Sequence, residues 1–78
     1  MAGSGKNVAQ MQPGDVGIIS GFTDDHLSVK LMEMGCLPGE LVTVEKKAPW
    51  GDPISITVAG YHLSLRLDEA EKIFVEEV

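Results

Sequence analysis

A chain of 78 residues makes one domain, with no room for a second core, and buries only about 60–65% of its unfolded surface. Its single cysteine excludes an internal disulfide, and no CxxC or HxxxH spacing offers structural zinc. The core must be hydrophobic, and a 44% share of hydrophobic residues is an ordinary supply for one. A net charge of −6 sets the chain against nucleic acid and against anionic membrane surfaces, both of which demand Lys and Arg. No apolar run approaches the roughly 18 residues of a membrane span, and no signal-peptide pattern opens the chain. A reduced, cytoplasmic setting follows from the unpaired cysteine, and a membrane system would be reached through a protein partner.

Residues 1–7 (MAGSGKN) are small and polar and read as a disordered terminus or a cloning remnant, leaving residues 8–78 as the domain. Gly3-Ser4-Gly5-Lys6 imitates the end of a phosphate-binding loop, but Asn7 stands where the metal-binding Ser or Thr belongs. Gln12-Pro13-Gly14-Asp15 has turn chemistry. A first strand then runs from Asp15 to Phe22, in which Gly17 and Gly21 suggest a bend or a close backbone approach. Thr23, Asp24 and Asp25 offer helix N-caps before His26–Met34. Leu27, Leu31 and Met34 share one face of that helix.

The helix stops at Gly35 by taking a left-handed backbone, and Leu37-Pro38-Gly39-Glu40 turns directly into the next strand, Glu40–Lys47. Ala48-Pro49-Trp50-Gly51-Asp52-Pro53 is a loop by composition. Ile54, Ile56 and Val58 alternate with Ser55 and Thr57 in the cleanest strand of the sequence. Gly60 marks a tight turn, after which Tyr61, Leu63 and Leu65 alternate with His62, Ser64 and Arg66. Leu67–Glu71 is one helical turn, and Ile73-Phe74-Val75 closes as a short strand. Five short strands with one inserted helix predict a mainly β fold, a small SH3-like β-barrel.

Leu31-Met32-Glu33-Met34-Gly35, Pro38-Gly39 and Ala48-Pro49-Trp50-Gly51-Asp52-Pro53, followed by Gly60, Leu63-Ser64-Leu65-Arg66, Ala70 and Ile73-Phe74-Val75, resemble the FeoA family of small ferrous-iron transport proteins. The resemblance covers nearly everything from Val8 onward, and the ordered combination of segments is what makes it specific. Lys30 stands where the family often has arginine, and Cys36 where a bulky apolar residue is usual. The resemblance implies an SH3-like barrel and a cytoplasmic accessory role beside FeoB, the membrane transporter of ferrous iron that carries a GTP-binding domain. The same barrel resembles the C-terminal domain of iron-dependent repressors. That alternative would require a helix-turn-helix domain upstream, which a chain opening with seven loose residues does not supply.

Cys36, His26 and His62 are the residues most able to hold a metal, yet their spacing gives no cluster of the kind ferrous iron wants. Cys36 reads as a small buried hydrophobe, and His62, out of phase with Leu63, faces solvent. Asp24-Asp25-His26 is explained by helix capping. Ser, His and Asp form no nucleophile motif, and Glu69 and Glu71 read as a solvated rim, so no catalysis, cofactor or metal site is expected.

Two stretches remain as candidates for partner binding. Trp50, flanked by Pro49 and Asp52, either anchors an interface or caps an open end of the barrel. Met32, and Val29 beside it, point away from the inward helix face, and adaptable methionine suits an interaction surface. The expectation is a non-catalytic interaction domain that binds a cytoplasmic region of a FeoB-type transporter, with no nucleic acid, no direct membrane insertion, and self-association left open. An iron carrier, the third class, would need tight metal binding by the isolated protein.

Overall fold

A computed structural model describes residues 6–23 and 25–78. Among these residues six strands form one antiparallel sheet: β1 (Lys6–Asn7), β2 (Val16–Phe22), β3 (Leu41–Lys47), β4 (Ile54–Val58), β5 (Tyr61–Leu65) and β6 (Ile73–Glu77). Helix α1 (Asp25–Glu33) lies between β2 and β3, α2 (Leu67–Ala70) lies between β5 and β6, and a 3-10 turn (Val8–Gln10) follows β1. The candidate cap Asp24, the terminal residues before Lys6 expected to be disordered, and the side chains of Asp25 and Leu27 lie outside the described residues. No helix among the described residues is long and apolar enough to cross a membrane.

The strand order is β1-β6-β2-β3-β4-β5. Among the described residues β5 pairs with β4 alone and β1 with β6 alone, so the sheet does not close into the expected barrel. The 3-10 turn and α2 pack together instead, and they bring Val8 and Ala70, with Met11 just beyond the turn, into the core. Helical turns thus complete the core where no ladder closes it, and β5 remains an edge strand. The sixth strand was also unexpected. Lys6 and Asn7, read as part of the loose terminus, pair with Val75 and Phe74, a contact between the two ends of the domain that no local pattern reveals.

Alternation builds the core. Val42 and Val44 of β3, Ile54, Ile56 and Val58 of β4, Leu65 of β5, and Ile73 and Val75 of β6 are all buried on one face, as period-2 patterning requires. Leu31 and Cys36 join them from the helix side, and Met34 packs partly buried against them. Two bulges curl the sheet around this core: two residues of β2 advance for one of β6 between Ile19 and Gly21, and two of β3 for one of β4 between Val44 and Lys46. Both suspected glycines therefore have a cause. Gly21 sits at the first bulge, while at Gly17 a Cβ would meet the Glu76 carbonyl oxygen and the Val75 Cβ at 3.2 Å each.

The helix stop follows the sequence reading. The Cys36 N–H donates to the Leu31 carbonyl (2.9 Å) and the Gly35 N–H to the Met32 carbonyl (3.1 Å). That is the paired bonding of a Schellman cap, with Gly35 at φ +98. Glu40 N–H then donates to the Leu37 carbonyl (3.0 Å) across Pro38-Gly39, and the turn is docked onto β2 by Gly39 N–H to the Ile19 carbonyl (2.8 Å). The stretch from Gly35 to Gly39 thus stops the helix, caps it and aims β3.

Candidate partner-binding site

Ala48-Pro49-Trp50-Gly51-Asp52-Pro53 links β3 to β4 and is held by its own backbone. The Gly51 N–H donates to the Ala48 carbonyl (2.7 Å), and the Ala48 N–H to the Pro53 carbonyl (3.1 Å). Pro49 therefore occupies the first central position of a tight turn, which suits its fixed φ, and Trp50 the second. Asp52 is exposed, and its Oδ1 accepts from the Leu67 N–H at 3.1 Å. It thereby caps the start of α2 from across the fold, a structural duty that the sequence did not suggest.

On this fixed loop Trp50 is 88% exposed. It caps no end of the core, which removes one of its two sequence readings. A large, amphipathic ring held out by a constrained turn loses little conformational freedom when a partner covers it.

Met32 is 38% exposed and Val29 56% exposed, as their phase on α1 predicts. Met32, Met34 and Gly35 face Tyr61 and Leu63 of β5 across a groove of about 440 Å³, with Glu33 at its rim. Tyr61 departs from expectation. It opens β5 as an inward-phased residue yet is 62% exposed, although Val58, its partner across the hairpin, is buried in the core. Sequence reading assigned no role to Tyr61, Leu63 or Glu33 in this groove. The facing of α1 and β5 is tertiary, and neither segment carries a signal of the other.

The metal candidates are kept apart. Cys36 is fully buried, and burial pushes its thiol above the ordinary range, which opposes the thiolate that a metal or an oxidant would need. His62 is exposed on the outer sheet face, with Nδ1 3.0 Å from Thr57 Oγ1, while that hydroxyl donates to Glu45 Oε2 at 2.8 Å. Thr57 has one proton and gives it to the carboxylate, so Nδ1 is the donor to the hydroxyl. His26 belongs to a different surface, beside Val29 and Lys30. Among the described residues no three His, Cys, Asp or Glu side chains converge to hold a metal ion. Glu69 does more than line a rim: its Oε1 accepts from the Arg66 N–H (2.9 Å), and its Oε2 lies 3.6 Å from Lys30 Nζ.

A protein-family model described as the FeoA domain matches residues 6–77. A fusion of Fe(2+) transport protein A with the Fe(2+) transporter FeoB from Porphyromonas gingivalis (strain ATCC BAA-308 / W83) is 40% identical over 47 residues, 60% of this chain. The chain spans 6% of that fusion protein's length. The solution structure of an FeoA-like protein from Clostridium acetobutylicum is 34% identical, with a TM-score of 0.83 over 92% of this chain and 85% of that one. A Stenotrophomonas maltophilia FeoA crystallised with zinc, described as an SH3 domain protein, shares the fold at 24% identity. Its TM-score is 0.81, over 91% of this chain and 89% of that one.

The runner-up reading rests on fold alone. A manganese-dependent transcriptional repressor is 17% identical, with a TM-score of 0.86 over 94% of this chain and 36% of that one. The fold is thus mainly β and SH3-like with an open sheet. With a family model spanning nearly every described residue and a relative 34% identical over 92% of this chain, the chain belongs to the FeoA domain family.

Proposed function

We propose that this protein is a non-catalytic accessory of ferrous-iron transport that works in the cytoplasm by binding a cytoplasmic region of a FeoB-type GTP-binding transporter. The observation that carries the reading is the fusion relative, in which a domain similar to this one is joined to FeoB in a single polypeptide. Covalent joining holds two modules at an effective concentration that only a working association rewards. The exposed Trp50 turn and the Met32 surface supply contacts for such a partner, and Pro49 restrains the turn that presents the indole.

A module of this kind changes its partner by binding one conformational state better than another. Its action on the transporter is then set by that difference in affinity, with iron as the transporter's cargo. The test is capture of the transporter by the tagged full chain from membranes of the native organism grown without oxygen, with identification of the bound protein. Recovery of the FeoB-type transporter supports the reading. Its absence from the captured material, with the chain folded and the transporter present in the same membranes, contradicts it.

A further inference from the structure

We propose that the open edge of β5 is where the partner docks, by adding to the sheet an extended strand that carries Lys or Arg. The inference rests on the reading that the chain binds the transporter, and it names the recognition mode and the chemistry of the segment bound.

Ala59 and Gly60 form a two-residue hairpin turn with φ of 51° and 82°, the doubly positive geometry of a type I′ turn. In such a hairpin the flanking residues, Val58 and Tyr61, are a hydrogen-bonded pair. With the register Val58↔Tyr61, Thr57↔His62, Ile56↔Leu63, Ser55↔Ser64 and Ile54↔Leu65, the bonded pairs are at 61, 63 and 65. The N–H and C=O groups of His62 and Ser64 therefore point away from β4. Among the described residues they meet no further strand.

Proteins blunt such edges with Lys, Pro, bulges or covering elements. Here Tyr61-His62-Leu63-Ser64-Leu65 has no charged residue and no proline, and its register with β4 runs without a shift. The edge also has a groove on each side. Besides the one under Met32 and Met34, a second hollow of about 450 Å³ is bounded by Glu45, Lys46, Ser55 and Ser64, and His62 and Leu63 border both. An added strand sends alternate side chains to opposite faces, so two flanking grooves match its period. Five residues make about 17 Å of ladder. Met32 lies at its Tyr61 end. The Trp50 loop lies at its Leu65 end, fixed there by the Ile54–Leu65 pairing and the Asp52–Leu67 bond. One docked strand would thus start beside Met32 and run toward the end of the sheet from which the Trp50 loop extends.

Charge selects the occupant. The chain carries −6, and a carboxylate borders each groove, Glu33 and Glu45, with Lys46 offsetting only the second. Glu33 is the last residue of α1, where a negative side chain opposes the helix dipole. It is unhelpful to the helix and well placed for a cation on the incoming strand. A second copy of this chain would instead bring two charges of −6, and both pairs of carboxylates, to one seam.

The test is equilibrium binding of the purified cytoplasmic region of the FeoB-type transporter to the full chain prepared by chemical ligation. The wild-type chain is compared with one N-methylated at Ser64 and with Glu33→Gln. The methyl replaces an outward proton and leaves the β4 ladder intact. We expect at least tenfold weaker binding for the methylated chain and about threefold weaker binding, with less salt dependence, for Glu33→Gln. Glu33→Gln should melt no lower than wild type. In the wild-type complex the His62 and Ser64 amides should exchange more slowly than in the free chain, a readout that stands even if methylation impairs folding. Normal binding by the methylated chain, or unchanged exchange at both amides on binding, overturns the edge proposal and leaves the transporter reading intact. Failure of the wild-type chain to bind overturns that reading and this proposal with it. Loss of self-association on methylation would assign the edge to a second copy and overturn the proposed occupant.

Discussion

Cys36 is the residue most easily mistaken for a reactive centre, and its substitution gives a clear quantitative test. The side chain is fully buried, in the segment that caps α1. Cys36→Ala removes one buried atom, worth about 0.8 kcal/mol of transfer on a per-methylene basis. A cavity of roughly 25 Å³ at about 24 cal/mol per Å³ adds about 0.6 kcal/mol. The sum, about 1–1.5 kcal/mol, corresponds to a melting point lower by about 4–8 °C per kcal/mol in a domain of this size. Cys36→Val keeps the site filled and should cost less.

Ionisation adds a signature. Burial raises the thiol's pKa in the folded state, so the folded protein holds that proton more tightly than the unfolded chain does. The associated stability is complete below the unfolded thiol's pKa of about 8.5 and is lost as pH rises through the folded value. Cys36→Val should therefore lose less stability than wild type between neutral and strongly alkaline pH. Calorimetric melting across that range measures both effects, and labelling with a thiol reagent should report modification only on unfolding. Rapid labelling of the native protein, or lost iron uptake by a Cys36→Val protein that melts like wild type, would refute the packing role.

Gly17→Ala forces a Cβ to within 3.2 Å of the Glu76 carbonyl and the Val75 Cβ. It should destabilise by about 1–3 kcal/mol in denaturant titration, since a backbone atom cannot rotate away. Gly35→Ala has ordinary space around its Cβ (3.6 Å to the nearest Tyr61 atom) but keeps φ at +98. Its cost should be about 1–2 kcal/mol from backbone strain alone, with Gly35→Asn less affected. Trp50→Ala should shift the melting point by no more than a few degrees. The roughly 30 Å² of this side chain that is covered is worth about 0.75 kcal/mol.

What the sequence disclosed was local. Pro38 fixes its φ and Gly35 and Gly39 accept the positive φ that other residues resist, so the helix stop and turn were readable from residue chemistry, and strands β4 and β5 followed from strict alternation. Trp50 and Met32 were legible as misfits, apolar groups where the local pattern offered no core. What was hidden is long-range. Lys6 and Asn7 look like any polar terminus until Val75 and Phe74 pair with them. The open sheet depends on the 3-10 turn and α2 packing where a ladder was expected. Val16, Ile18 and Leu41 occupy strand positions that alternation assigns to the outer face, yet they are apolar and exposed, with Ile18 directly opposite Leu41 as a cross-strand pair. The groove at β5 escaped notice because its walls come from segments that meet only in the folded chain.

The central claim is a direct contact with the transporter, and a titration of the transporter's purified cytoplasmic region with the full chain and with Trp50→Ala tests it most directly. The account predicts saturable one-to-one binding of the wild-type chain near or tighter than micromolar, about −8 kcal/mol, weakened roughly thirtyfold or more by Trp50→Ala while that variant stays folded. Wild-type binding that fails to saturate at millimolar concentration, or saturable binding that Trp50→Ala leaves unchanged, would contradict it.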